Sequence, residues 1–147
     1  MKRFLVGAVG LLLLAGWGNS SSGPANAASA ARPAPQPGAV LETTSLDIDF
    51  SKYAVTFIEL GAKSCIPCKA MQPVMKDLAA EYRDQLLVVF YDVWEDNKPA
   101  THYQVRGIPT QVFLDAEGKE FYRHMGFCAK EEIRKVLESR GLKRVGG

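Results

Sequence analysis

Cysteine and histidine are scarce here: the 147 residues hold three of the first and two of the second. The histidines, His102 and His124, stand far apart, and only one Cys-x-x-Cys pair occurs. A structural zinc site draws four ligands from two such paired sets. With Cys128, His102 and His124 as the only further candidates outside carboxylates, no metal site is expected. An excess of charge of one sign is missing as well. Residues 42–147 carry 15 basic and 16 acidic side chains, and only Lys2, Arg3 and Arg32 are charged before them. The chain's pI of about 8.4 therefore owes much to its first segment, and nothing in the rest suggests nucleic-acid binding. The basic residues near the end, Arg140, Lys143 and Arg144, read as a solvated helix end. No apolar run reaches the ~20 residues of a membrane-spanning helix, and there are no internal repeats.

The run from Phe4 to Trp17 is apolar over fourteen positions and follows Lys2 and Arg3. A small-residue site comes next, Ala25-Asn26-Ala27 or Ala28-Ser29-Ala30. That order describes a secretory signal peptide over residues 1–27 and an exported, periplasmic protein. An uncleaved signal, tethering the protein to the membrane, is the competing reading. Leu14–Trp17 resembles a bacterial lipoprotein signal with tryptophan in place of the cysteine, so there is no thiol to acylate and no lipid anchor is expected. Residues 28–41, rich in Ala and Pro, bury too little to offset the entropy of ordering them and read as a flexible linker. Residues 42–147 are long enough for one core.

Within that region Tyr53–Leu60 is β-branched and aromatic and reads as a strand. Met71, Val74, Met75, Leu78 and Tyr82 recur at helical spacing, so Cys65–Tyr82 is expected to be one helix, with Pro67 in its first turn and a kink at Pro73. Leu86–Val93 is a continuous apolar run, as in a strand covered on both faces. A short helix near Lys98–Tyr103 follows, then strands at Pro109–Asp115 and Lys119–Met125 joined by a turn, and a last helix opened by Glu131 and Glu132. The order β-α-β-α-β-β-α is that of an α/β domain, with an added edge strand expected at Ser45–Phe50. Trp94 is expected to pack after its strand.

The cysteines Cys65 and Cys68 open the first helix. Side chains at i and i+3 share a helix face with β-carbons about 5–6 Å apart, and modest tightening brings them into disulfide range. A helix N-terminus favours a thiolate, and its effect falls on the first of the pair. Cys65 is thus expected to be the nucleophile and Cys68 the resolving thiol. A purely structural bridge across so short a loop would be a poor staple, since it removes little unfolded-state entropy. Alternation along Tyr53–Leu60 groups Val55, Phe57 and Glu59 on one apolar face, where a carboxylate is costly unless it works or is paired. An edge-facing Glu59 paired with a lysine is the alternative.

With Cys-Ile-Pro-Cys at the strand–helix junction, Val105–Thr110 reading VRGIPT, the turn at Asp115–Lys119 and Gly126 before the last helix, the chain resembles the thioredoxin family over residues 44–140, and in particular its exported bacterial members. The resemblance implies a thioredoxin-like fold, a central mixed β-sheet flanked by helices. It implies that Pro109 is cis and faces the cysteines, leaving the Ile108 backbone free to pair with an extended substrate. It places Glu59 at the family's buried acid, there to exchange protons with Cys68. Ile66, Pro67, Ile108, Gly126 and Phe127 are the substrate-facing rim it implies, and Cys128 falls at a position that is generally a packed apolar side chain. Ser64 and Ile66 depart from the family's usual Trp-Cys-Gly-Pro-Cys, and Gly61 stands where another aromatic ring is common. A proline before the second cysteine resembles the reducing branch of a family whose potentials span roughly −270 to −120 mV.

The function expected is that of an exported thiol–disulfide oxidoreductase, a protein-disulfide reductase that cycles Cys65 and Cys68 and needs no cofactor. Its partners would be client proteins with disulfides and a membrane thiol-electron transporter that recharges it, with the protein acting as a monomer. The alternatives are a disulfide donor or isomerase using the same pair, and a binding module of the same fold whose disulfide never cycles.

Overall fold

The computed structural model describes residues 36–146; the expected signal peptide, and the linker up to residue 35, lie outside the described residues. Five strands and three helices follow in the order β1 (Val40–Glu42), β2 (Val55–Gly61), α1 (Ile66–Glu81), β3 (Leu86–Asp92), α2 (Lys98–His102), β4 (Thr110–Asp115), β5 (Glu120–Met125) and α3 (Lys130–Ser139). The strands form one sheet in the order β1-β3-β2-β4-β5. β3 runs parallel to both β1 and β2, while β4 is antiparallel to β2 and to β5. A parallel βαβ half is thus joined to an antiparallel hairpin, the mixed sheet the element order implies.

The sheet buries both faces, which is why β2 and β3 are so largely apolar. On one face Val55, Phe57, Val88, Phe90 and Phe113 meet Met71, Met75, Leu78 and Tyr82 of the α1 region and Ile133 and Leu137 of α3. On the other, Ile58, Leu60, Val89, Tyr91 and Val112 are covered by Tyr103, Ala100 and the segment Leu46–Tyr53. The Phe57 and Phe113 rings stack across β2 and β4 with centroids 4.7 Å apart, adding to the area they bury. α1 and α3 are clasped at their exposed edge, where Arg134 bonds Glu81 and Lys130 reaches Asp77.

Two expectations about the fold are corrected. The edge strand is Val40–Glu42, which lies in part within the segment read as linker. Ser45–Phe50 is not a strand, because its polar side chains bond nearby backbone instead: Thr43 Oγ1 accepts from Ser45 N, Ser45 Oγ from Asp47 N, and Asp49 Oδ1 from Ser51 N. Such local bonds compete with a sheet ladder. Leu46, Ile48 and Phe50 still pack onto the sheet, and Phe50 begins a 3-10 turn. Trp94 does not pack after its strand; it is 65% exposed. α1 passes through Pro73 as one helix from Ile66 to Glu81.

Candidate active site

β2 ends at Gly61, and the turn that follows is tied to the end of β3. Val93 N donates to Gly61 O at 2.9 Å, and Lys63 N donates to Asp92 Oδ2 at 3.0 Å. The other oxygen of Asp92 accepts from Trp94 N and Glu95 N. This brace delivers Cys65 to the N-cap of α1, its backbone extended at φ −79° and ψ 123°. Pro67 occupies the first turn, where a missing N–H removes no helical bond.

The first N–H groups of a helix have no partner within it. Here the Cys65 sulfur takes one of them, accepting from Cys68 N at 3.4 Å. Cys65 and Cys68 are joined as a disulfide with Cα atoms 5.2 Å apart. Cys65 is 8% exposed and Cys68 1%, so the first of the pair is the one within reach of solvent and the second is covered. Among the described residues no group of three or more His, Cys, Asp or Glu side chains is placed to hold a metal ion.

Ile108 and Pro109 are joined by a cis peptide bond, and Ile108 packs against Ala62, Cys65 and Cys68. The Pro109 carbonyl accepts from Gly126 N at 2.8 Å, and Thr110 Oγ1 donates to Gly107 O at 2.6 Å. Among the described residues no hydrogen bond engages the Ile108 backbone. Gly126 is thus fixed to the Pro109 loop, and Phe127 follows it half exposed. Ile66, between the cysteines, is 82% exposed, and Pro67 is exposed beside it. Met125 adds a further exposed apolar side chain; its sulfur would lie 3.2 Å from a β-carbon at Gly107. The alternating pattern of β5 gave no sign of this.

Glu59 is completely buried. It pairs with no lysine among the described residues: its hydrogen bond comes from Gln111, whose Nε2 donates to Glu59 Oε2 at 3.0 Å. The edge-facing alternative is thereby excluded. Burial pushes the Glu59 carboxyl up to about 8, with the hydrogen bond from Gln111 pulling the other way.

Gly61 proves more informative than a missing ring. A β-carbon there would lie 3.2 Å from Cys68 Cβ, 3.3 Å from its Sγ and 3.3 Å from the Phe90 ring. Cys68 therefore lies against the sheet face that Gly61 shares with Glu59 two residues earlier. At the rise of a strand that step is about 7 Å, so the carboxyl and the second sulfur belong to the same face of β2. Sequence reasoning missed this role of Gly61, and it missed Gln111 entirely.

Cys128 is buried against Met71, whose sulfur accepts from Cys128 N at 3.5 Å. Burial first, then Glu132 and more weakly Glu59, push its thiol up to about 11. It is a packed side chain, held away from the thiolate form.

Residues 39–139 match the family model for thioredoxin. Over 101 residues the chain is 32% identical to thioredoxin of Staphylococcus aureus strain Mu50, covering 68% of this chain and 96% of the relative. Among solved structures it is similar to a mutant thioredoxin from Halobacterium salinarum NRC-1, with a TM-score of 0.64 and 30% identity over 71% of this chain and 93% of that one. Thioredoxin F from spinach chloroplast shares the fold, with a TM-score of 0.61 and 21% identity over 71% of this chain and 95% of that one. The cysteine pair at a helix start, the cis proline beside it and these matches lead to one conclusion: the chain belongs to the thioredoxin family.

Proposed function

We propose that the protein is an exported thiol–disulfide oxidoreductase that reduces disulfides of client proteins through Cys65 and Cys68. The observation that carries this reading is the Cys65 sulfur at the N-cap of α1, bonded to the covered sulfur of Cys68. In the reduced protein the helix start favours Cys65 as thiolate. Its sulfur attacks a client disulfide, forming a mixed disulfide and expelling one client sulfur as thiolate. Glu59 accepts the proton of Cys68, whose sulfur then attacks that of Cys65. The client leaves with its second sulfur reduced, two electrons have passed to it, and the Cys65–Cys68 disulfide is restored.

An extended client segment would lie against Ile66, Pro67, Ile108, Gly126 and Phe127, pairing with the unengaged Ile108 backbone. Another cycle requires two electrons from outside, which for an exported protein must cross a membrane through a thiol-electron transporter. Export is supported by the basic, apolar and small-residue order of the first 27 residues.

Insulin reduction tests the chemistry. Cys65→Ser is expected to abolish it, while Cys68→Ser accumulates mixed disulfides with clients that mass spectrometry can identify. A Cys65→Ser protein as active as the parent overturns the reading. Titration against glutathione decides direction: a potential far above the reducing range would make the protein a disulfide donor.

A further inference from the structure

The pairing of Glu59 with Gln111 asks for a reason beyond packing. The two are direct cross-strand partners in the β2–β4 ladder, both fully buried. Their neighbours on that face, Phe57 and Phe113, are apolar and stacked. A buried amide in such a place costs free energy unless its groups are bonded. Yet Gln111 spends a donor on Glu59 Oε2 while its own Oε1 has no partner, and Glu59 Oε1 has none either. The bond therefore distinguishes the two carboxyl oxygens. Oε2 is held by an N–H, which favours an unprotonated oxygen there. Oε1 is left open.

We propose that Gln111 is a positioning residue for proton transfer at the cysteine pair: its amide fixes the Glu59 carboxyl on the sheet face beside Cys68 and leaves Oε1 to carry the proton exchanged with that thiol. The proposal rests on the reading of Glu59 as proton acceptor for Cys68. When Cys68 loses its proton, the proton passes to Oε1. When the client has left, the neutral carboxyl returns it to solvent.

The surroundings leave this task to Gln111. From β3, Glu59 meets Phe90, its partner in the parallel ladder. Cys68 of α1 lies on the same face, against Gly61, and the thiol of Cys128, with Glu132 beyond it, faces the carboxyl from the segment before α3. Among the described residues no lysine or arginine acts on the carboxyl, and Gln111 is the one group that favours its charged form. Without that amide the anion would be harder still to form, and a smaller fraction of Glu59 would stand ionised, ready to accept the Cys68 proton, at any given pH.

Gln111→Met keeps length and volume and removes the donor; Gln111→Leu is a second variant should the first fold poorly. Two readouts follow the proton. Carbon-13 NMR of the Glu59 carboxyl in the oxidised protein gives its titration midpoint. Stopped-flow reaction of the reduced protein with dithiobis(nitrobenzoate) releases one coloured thiolate when Cys65 attacks and a second when Cys68 resolves the mixed disulfide. In the variants the carboxyl midpoint is expected to rise by roughly 1 pH unit, as for loss of a hydrogen bond to a charged group. The pH profile of the second release should shift upward with it, while the first release stays unchanged. A midpoint that does not move, or one that moves without the second release following, overturns the proposal. Failure of the underlying reading has a separate signature: Glu59→Gln would then leave the second-release profile as in the parent, and the role of Gln111 would fall with it.

Discussion

The side chain of Cys68 lies against Gly61, close enough that a β-carbon on the glycine would stand 3.2 Å from its Cβ and 3.3 Å from its sulfur. This one approach links the end of β2, the first turn of α1 and the buried carboxyl two residues back along the strand. It also gives a physical reason why no ring stands at position 61. The space in front of that backbone is filled by Cys68 and by the Phe90 ring, so a larger residue there requires the cysteine turn to move.

Gly61→Ala therefore crowds the site from below. Neither the helix start nor the Phe90 ring is a freely flexible tip, and overpacking of this kind costs about 1–3 kcal/mol. Urea denaturation of the oxidised protein should show a loss in that range. A variant as stable as the parent would mean that the helix start gives way easily.

Glu59 should make stability depend on pH. Its carboxyl is raised by burial from 4.5 to about 8, so the folded protein holds that proton more tightly than the unfolded chain does. The contribution is fully present below about pH 4.5 and is lost as pH rises through about 8, at up to about 1.4 kcal/mol per pH unit. Urea midpoints of the parent should fall across that window relative to those of Glu59→Gln. Parallel pH dependences for the two proteins would contradict the burial of an ionisable group at this site.

Cys128 should behave as core. Its thiol is buried and pushed up to about 11, and thiolate is the reactive form. Brief treatment of the reduced protein with iodoacetamide at neutral pH should label Cys65 and leave Cys128 unmodified until denaturant is added. Peptide mapping reads this directly, and native labelling of Cys128 at a rate near that of Cys65 would refute it.

Asp92 braces the approach to the cysteines by accepting from Lys63, Trp94 and Glu95 backbone N–H groups. Asp92→Ala should cost about 1.5–3 kcal/mol, the range for hydrogen bonds to a charged group. It should also speed amide exchange at those three residues before any other part of the sheet. Unchanged exchange there would show that the turn holds without the carboxylate.

Much of this was legible because the signals are local. A cysteine pair at helical spacing after a buried strand, a proline in the helix's first turn and the alternation that put Glu59 inward each depend on a few neighbouring residues. What escaped depends on pairing between distant segments. Gln111 reads as one polar residue in an apolar strand, and only its register against β2 brings it to Glu59. The Gly61 approach requires the helix to be docked on the sheet. Ser45–Phe50 alternates like a strand, yet its serine and aspartate side chains take nearby backbone bonds, and the edge position goes to Val40–Glu42. Trp94 is large and apolar, but the turn pinned by Asp92 leaves it facing solvent.

The ionisation of Cys65 in the reduced protein tests the central claim most directly, followed by far-ultraviolet thiolate absorbance against pH in Cys68→Ser, where Cys128 titrates far above the range of interest. The N-cap position predicts half-ionisation at least about one unit below the ~8.5 of a free cysteine. A midpoint at or above that value would contradict the account, since the helix start would then not hold the sulfur as the nucleophile.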